Sequence, residues 1–313
     1  MSNSFEQEVL EGLSLPAKKL SSKYFYDDKG SRIFREIMAM PEYYPTKCEL
    51  RIFQTHAADI VAVTQKGNLN IIELGAGDAS KTYYLLKAWL ESGNEFVYSP
   101  LDISQEALDQ AKNSLAKRLP QLKVKPIQGE YFEVLERISN DTSKTNKLVL
   151  FLGSNLGNFN LEGASAFLNK LYEALNPGDQ LLIGIDLKKS PNIILPAYSD
   201  PGGITARFNL NLLNRINKEL GGDFKLKNFK HYASYEPETG EVRSFLISQK
   251  EQDVHIKAVN KSFHFDEMES IHTEISKKYG QEEFKKLIKD VGFTWKEAYY
   301  DSNLYFMDVL MEK

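Results

Sequence analysis

Between Ile71 and Asp186 short apolar runs alternate with stretches of helical periodicity. Ile71-Ile72-Glu73-Leu74 is the first run, and a helix carrying Tyr83, Leu85, Leu86 and Trp89 on one side is predicted from near Ser80. Glu95 to Leu101, ending at Asp102, reads as a second strand, followed by a helix from Gln105 to Arg118 with Ala107, Leu108, Ala111 and Leu115 inward. Val124 to Ile127 is a third strand. A short helix is expected after Gly129-Glu130-Tyr131, then a polar segment from Ser139 to Lys147. Leu148 to Leu152 is continuously apolar, as a strand buried on both faces must be. A helix from Leu161 to Leu175, a turn at Pro177-Gly178 and a strand from Gln180 to Ile185 ending at Asp186 complete the alternation. Strands separated by helices imply right-handed βαβ units and a parallel sheet.

The flanks follow another rhythm. A mostly polar lead-in with one weak helical patch covers residues 1 to 23, and the aromatic cluster Tyr24-Phe25-Tyr26 closes on a turn at Asp27-Asp28-Lys29-Gly30-Ser31. A helix with Ile33, Phe34, Ile37 and Met38 on one face must end at Pro41-Glu42-Tyr43-Tyr44-Pro45, because Pro45 pushes Tyr44 towards extended backbone. Thr46 and Glu49 have the spacing of a capping box, which predicts a helix from Lys47 to Val63. Beyond Asp186, Pro191, Pro196, Pro201, Gly202 and Gly203 break the chain before Thr205 caps a helix through Leu220. Residues 224 to 265 read as an antiparallel meander turning at Pro237-Glu238-Thr239-Gly240. A helix from Gln281 to Val291 stops at Gly292, and Phe293 to Tyr299 with Tyr305 to Met311 forms a closing hairpin. The fold class is α/β: a doubly wound, mostly parallel, Rossmann-like sheet with a C-terminal antiparallel hairpin and a second α+β lobe. Residues 48–188 plus 279–313 are assigned to the sheet domain, and 1–47 plus 189–278 to the second lobe.

Composition narrows the function classes. At 42% hydrophobic residues a 313-residue chain buries a sizeable core. No basic-then-apolar leader and no apolar run of the roughly 18 residues needed to cross a bilayer are seen, so a cytoplasmic location and no membrane partner are expected. Cys48 is the only cysteine, which excludes an intrachain disulfide. The histidines His56, His231, His255, His264 and His272 lack metal-binding spacing, so no metal site is expected. With net charge -4 and no basic stripe, nucleic acid is not an expected partner.

The candidate chemistry gathers at strand ends. Open parallel sheets bind ligands beyond the carboxyl ends of their strands. That edge should carry Glu73 with Gly75 and Gly77, then Asp102, Glu130, the run Gly153-Ser154-Asn155-Leu156-Gly157-Asn158, and Asp186. The turn Gly75-Ala76-Gly77 allows positive φ and close approach to a ligand, with a helix N-terminus behind it. A dinucleotide fingerprint wants a third glycine where Ser80 stands, which favours a nucleoside ligand without a diphosphate. Asp102, ending the second strand, can accept both hydroxyls of a ribose.

The glycine turn, the second-strand acid and the final hairpin together resemble class I S-adenosylmethionine-dependent methyltransferases. The likeness narrows further on reading Tyr26-Asp27-Asp28-Lys29-Gly30-Ser31, Pro41-Glu42-Tyr43-Tyr44-Pro45-Thr46, Gly75-Ala76-Gly77 with Lys81-Thr82, Phe151-Leu152-Gly153-Ser154 with Gly157-Asn158, Ala197-Tyr198 and Thr273-Glu274-Ile275-Ser276. In that order they resemble the histidine Nα-methyltransferases of ergothioneine biosynthesis. The resemblance implies S-adenosyl-L-methionine as cofactor, held by Gly75, Gly77, Lys81 at its methionine carboxylate, Asp102 at the ribose, and Glu130 with Tyr131 beside the adenine. It implies histidine as a small-molecule substrate bound by Tyr43, Gly153, Asn158, Tyr198, Glu274 and Ser276, with Tyr26 and Asn158 orienting the amine for transfer. Glu130 stands where the family usually has aspartate, and Asn155-Leu156 replaces its usual small hydroxyl residue and isoleucine. The expected activity is N-methylation of the α-amino group of L-histidine, up to the trimethylated betaine, by a monomer. Methylation of another amino acid or small amine, and a catalytically silent binding protein, are the rival readings.

Overall fold

The computed structural model describes residues 4–64, 67–131, 135 and 145–313. The chain divides into two compact units, one comprising residues 1–44 and 189–276, the other 45–188 and 277–313.

The second of these is built on a sheet of β1 (Leu69–Leu74), β2 (Phe96–Asp102), β3 (Ile127–Gln128), β4 (Asn146–Phe151), β5 (Gln180–Asp186), β11 (Thr294–Tyr300) and β12 (Phe306–Glu312). Their order is β11-β12-β5-β4-β1-β2-β3. The pairs from β5 through β4, β1 and β2 to β3 are parallel, while β12 runs antiparallel to both β5 and β11. The expected doubly wound sheet with a closing hairpin is what forms. Leu148, Val149, Leu150 and Phe151 are fully buried, as a strand covered on both faces requires. The helix Leu161–Ala174 contributes Phe167, Leu168 and Leu171 to the core under this sheet, and Gln281–Val291 adds Phe284 and Ile288.

Several boundaries move. The helix expected near Ser80 begins at Tyr83, because Ala79 takes φ 53 and the turn uses three more residues before helical bonding starts. The third strand shrinks to Ile127–Gln128, with Val124 keeping only an isolated bridge to Tyr98. Asn146 and Lys147, polar though they are, open β4 and do not belong to the loop before it. The short helix after Tyr131 and residues 139–144 of the polar segment lie outside the described residues, Tyr131 and Leu135 apart. The helix predicted from Lys47 starts at Tyr44, and Pro45 is accommodated in its first turn, where an N–H is not needed. Thr46 and Glu49 form no capping box, since the Glu49 carboxylate is drawn inward to Lys81 and to the N–H of Gly153.

The other unit packs the helices Ser4–Ser14, Asp28–Ala39 and Ile204–Leu220 with β strands around a separate core of Phe5, Phe25, Ile33, Phe208, Leu212 and Leu246. The polar lead-in thus holds a helix with Phe5, Val9 and Leu13 buried. The meander is two sheets, not one: β6 (Phe229–Glu236) and β7 (Glu241–Ser248) join β10 (Ser270–Lys277) in the order β10-β7-β6, while β8 (Gln252–Ile256) and β9 (Lys261–Phe265) form a separate two-stranded sheet. Pro191 to Tyr198 is helical with Pro196 inside it. Thr205 is not the cap of the next helix. Gly203 is, in left-handed backbone, and the Asp200 carboxylate accepts the N–H groups of Ile204 and Thr205, each at 2.8 Å.

Candidate functional site

In the sheet unit the parallel strands deliver their ends to one edge, and the turn after β1 is fixed there by main-chain bonds. Gly75 and Ala76 donate to the carbonyl of Leu101 at 2.8 and 2.9 Å. Gly75 lies at φ 74, and a Cβ on it would come within 2.5 Å of the Tyr131 hydroxyl and 3.2 Å of Asn155 Nδ2. Only glycine fits, for conformation and for space. Gly77, at φ 54, donates to Asp102 Oδ2 at 3.0 Å, and Ser104 donates to Oδ1 at 2.9 Å. Burial raises the Asp102 pKa, against the lowering effect of these N–H groups. Pairing with no cation among the described residues, this carboxylate suits neutral hydroxyl groups.

Tyr131 sits edge-on to Phe151 with ring centroids 5.5 Å apart. Burial first, and the Asp102 charge second, hold its phenol protonated. Glu130, immediately before it, is exposed. The loop after β4 begins at Gly153, φ 72, and continues through Ser154, φ 59, into the short turn of helix Asn155–Asn158. Gly153 lies against Lys81, a Cβ there falling 3.5 Å from Nζ, while Asn158 is exposed at the end of the turn. Gly75, Tyr131, Asn155, Gly153 and Lys81 are thereby brought together, and Gly77 with Asp102 closes the same turn.

Two strand-end acids are spoken for internally. Glu73 is buried and accepts from the hydroxyls of Tyr98 and Thr82, the latter at 2.7 Å. Asp186 pairs with the buried Lys278 at 2.8 Å. The strand-end rule draws in both, but their partners make them structural.

Glu49 and Asp308 escape the sequence reading. Glu49 is fully buried, pairs with Lys81 and accepts from Gly153 N–H at 2.6 Å. A signal exists, since Glu49 shares the inward face of its helix with Ile52, Phe53 and Ile60, where a solvated glutamate does not belong.

The other unit carries its own cluster. Tyr26 meets Phe34 and Phe208 edge-on at 5.4 and 5.6 Å, and Phe34 meets Tyr43 at 6.2 Å, so Tyr26 and Tyr43 belong to one aromatic group. Asp27 anchors the Tyr26 loop by capping the next helix at Gly30 N–H, 2.6 Å, and by accepting from Asn211 Nδ2 at 2.8 Å. Glu274 and Ser276 are two residues apart on β10, hence on one face of it. Ser244 donates to Glu274 Oε2 at 3.2 Å, and the Tyr198 and Ser276 hydroxyls lie 2.8 Å apart. Glu274, Ser276 and Tyr198 are thus gathered around one strand, with Tyr198 and Ser276 only 7% and 6% exposed.

Residues 5–313 match the family described as histidine-specific methyltransferase, SAM-dependent. A histidine N-alpha-methyltransferase of Mycolicibacterium smegmatis is 34% identical over 91% of this chain and 88% of its own length. Ergothioneine biosynthesis protein 1 of Neurospora crassa is 29% identical over 94% of this chain, which spans 33% of that longer protein. An L-tryptophan methyltransferase of Psilocybe serbica is 28% identical over 95% of this chain and 90% of its own. The glycine turn with its second-strand carboxylate, on a sheet of this topology, therefore has a family: the chain belongs to the histidine-specific, S-adenosylmethionine-dependent methyltransferases.

Proposed function

We propose that the protein transfers methyl groups from S-adenosylmethionine to the α-amino nitrogen of L-histidine, continuing to the trimethylated betaine, and that it does so as a cytoplasmic monomer. The observation that carries the substrate assignment is Glu274. Its carboxylate, fixed by Ser244 beside the Tyr198–Ser276 pair, offers an acceptor for an imidazole N–H. A site built to hydrogen-bond such a group can reject analogues that lack it by about 10⁴ to 10⁵.

The cofactor supplies an electrophilic methyl on a sulfonium, and the donor set of the sheet unit suits it. Gly75 would give close backbone approach, Asp102 would take the ribose hydroxyls, Tyr131 would flank the base, and Lys81 would receive the amino-acid carboxylate. When bound the cofactor would supply its methyl to in-line displacement, the N–C bond forming as the C–S bond breaks and the electron pair leaving on sulfur. The nucleophile must be the neutral amine. The resemblance would assign Tyr26 and Asn158 to orienting its lone pair, Tyr43 and Tyr198 to the amino acid's ends and Gly153 to shaping the space beside them, so the contribution proposed for the enzyme is orientation and dehydration, not a strong base. Free α-amino groups are mostly protonated at pH 7, and each transfer releases one proton to solvent. The aromatic group of Tyr26, Phe34 and Tyr43 is compatible with a growing ammonium, at roughly 0.5 to 2 kcal/mol of cation-π attraction.

Mass spectrometry of histidine incubated with enzyme and S-adenosylmethionine is the test, with gains of one, two and three methyls expected and no gain overturning it. The tryptophan-methylating relative makes a second substrate worth including. Preference for tryptophan over histidine in that assay would move the assignment to another amino acid.

A further inference from the structure

Lys81 is not a bare cation reaching for a ligand. Its ammonium is paired with Glu49, and Glu49 is in turn bonded to the N–H of Gly153 at 2.6 Å. The carboxylate is 0% exposed while the lysine side chain keeps 20% of its surface, so the ion pair is closed on the protein side and open on the other. Its space is reserved: a Cβ on Gly184 of β5 would overlap Glu49 Oε1. The other acidic side chains that influence Lys81 are Glu73 on β1 and Asp308 on β12. Glu73 is satisfied by Tyr98 and Thr82. Asp308 is fully buried with neither oxygen hydrogen-bonded among the described residues, a condition that a carboxyl tolerates only when protonated.

We propose that Glu49 is a positioning residue for the methyl donor, holding Lys81 charged and aimed from the interior and tying it to the Gly153 loop. The inference rests on Lys81 receiving the cofactor's carboxylate. Burial alone would drive Lys81 towards the neutral amine; the Glu49 charge and hydrogen bond are the chief influences that reverse this. A neutral side chain at position 49 removes both, and Lys81 then loses its proton at lower pH.

Two adenosyl ligands separate aim from fold: S-adenosylhomocysteine, which has the carboxylate, and 5′-methylthioadenosine, which lacks the whole amino-acid end. By calorimetry at pH 7, Glu49→Gln should bind S-adenosylhomocysteine about tenfold more weakly than the unaltered protein and methylthioadenosine within about twofold. The ratio of wild-type to variant affinity for S-adenosylhomocysteine should grow a further tenfold or so by pH 9, with no growth for methylthioadenosine. Glu49→Asp, which restores the charge, should bring the pH dependence back to wild type. Equal loss of both ligands, a ratio independent of pH, or no loss at all would overturn the proposal. A second pair of variants guards against misfolding caused by an unpaired ammonium. Lys81→Met alone and Lys81→Met with Glu49→Gln should bind S-adenosylhomocysteine within about twofold of each other, since the charge of Glu49 acts through Lys81 and glutamine keeps an acceptor for the Gly153 N–H; a further loss in the double variant overturns the proposal. If Lys81→Met itself fails to discriminate between the ligands, the carboxylate reading of Lys81 is what falls.

Discussion

Two single residues carry the proposed function most directly, Gly75 for the cofactor and Glu274 for the substrate. At Gly75 both φ and the 2.5 Å approach of the Tyr131 hydroxyl exclude a side chain. Gly75→Ala should lower affinity for S-adenosylhomocysteine at least tenfold, while the thermal transition shifts by only a few degrees, as calorimetry and melting curves will show. Under the proposed function, Glu274 is the counterpart for the substrate. Replacing it by glutamine removes a charge-assisted bond worth about 1.5 to 3 kcal/mol. Glu274→Gln should therefore raise KM for histidine by about ten- to a hundredfold and leave cofactor affinity within twofold. Equal losses of both affinities would deny Glu274 its role in reading the imidazole.

At the scale of elements, the helix Ile204–Leu220 shows how a carboxylate outside the helix does the capping. Asp200 takes two N–H groups of the first turn. Burial raises its pKa, but the bonds from Thr205 and Ile204 outweigh this and hold it below the usual carboxylate value. A depressed carboxylate contributes stability that is complete above its unfolded pKa and lost as pH falls through the folded one. Asp200→Ala should cost about 1 to 2 kcal/mol at pH 7 by denaturant unfolding, with the difference from wild type vanishing in acid. β10 is the other telling element. Its register places Glu274 and Ser276 on one face, and Ser244 of β7 and Tyr198 fix their side chains.

Over the whole molecule, one buried group in each unit carries an opposite pH signature. Burial pushes Glu73, in the sheet unit, up to about 7 against the lowering effect of its hydroxyl donors. An acid raised on folding binds more protons in the native state, so this unit loses stability as pH climbs from about 4.5 to 7, by roughly 3 kcal/mol for Glu73. His231, in the other unit, is brought down to about 4, chiefly by burial, and its Nε2 has no hydrogen-bond partner among the described residues. There the unfolded chain takes up the proton first, and stability falls as pH drops from 6.5 towards 4. Opening free energies from hydrogen exchange should decline in acid for peptides of residues 204–248 and towards neutrality for those of 69–102. Glu73→Gln should flatten the second trend and leave the first untouched.

Much of the fold is legible in the sequence because burial writes itself into pattern. The runs at Ile71, Leu148 and Gln180 become central strands, the helix Gln105–Arg118 falls where periodicity places it, and Gly292 ends the helix before it. Errors come where a local rule meets a distant partner. Thr46 and Glu49 spell a capping box, but a half-buried lysine 32 residues on claims the carboxylate. Thr205 looks like a cap until Asp200 takes the two N–H groups instead. Asp186 reads as one of the ligand-facing acids, and Lys278, 92 residues later, neutralises it.

Order and spacing of residues by themselves determined the alternating sheet, the glycine turn after β1, the acid at the end of β2 and the family to which the chain belongs. These depend on period, conformation and identity, which are local. Tertiary structure alone decided which charges are used up and which remain for chemistry. Glu73, Asp102 and Asp186 look alike as strand-end acids, yet two are committed to internal partners and Asp102 is held by backbone alone. The same holds for Glu49, whose charge matters through Lys81 and Gly153. The energy of a buried carboxylate is set by the donors around it, and those donors come from parts of the chain that only folding brings near.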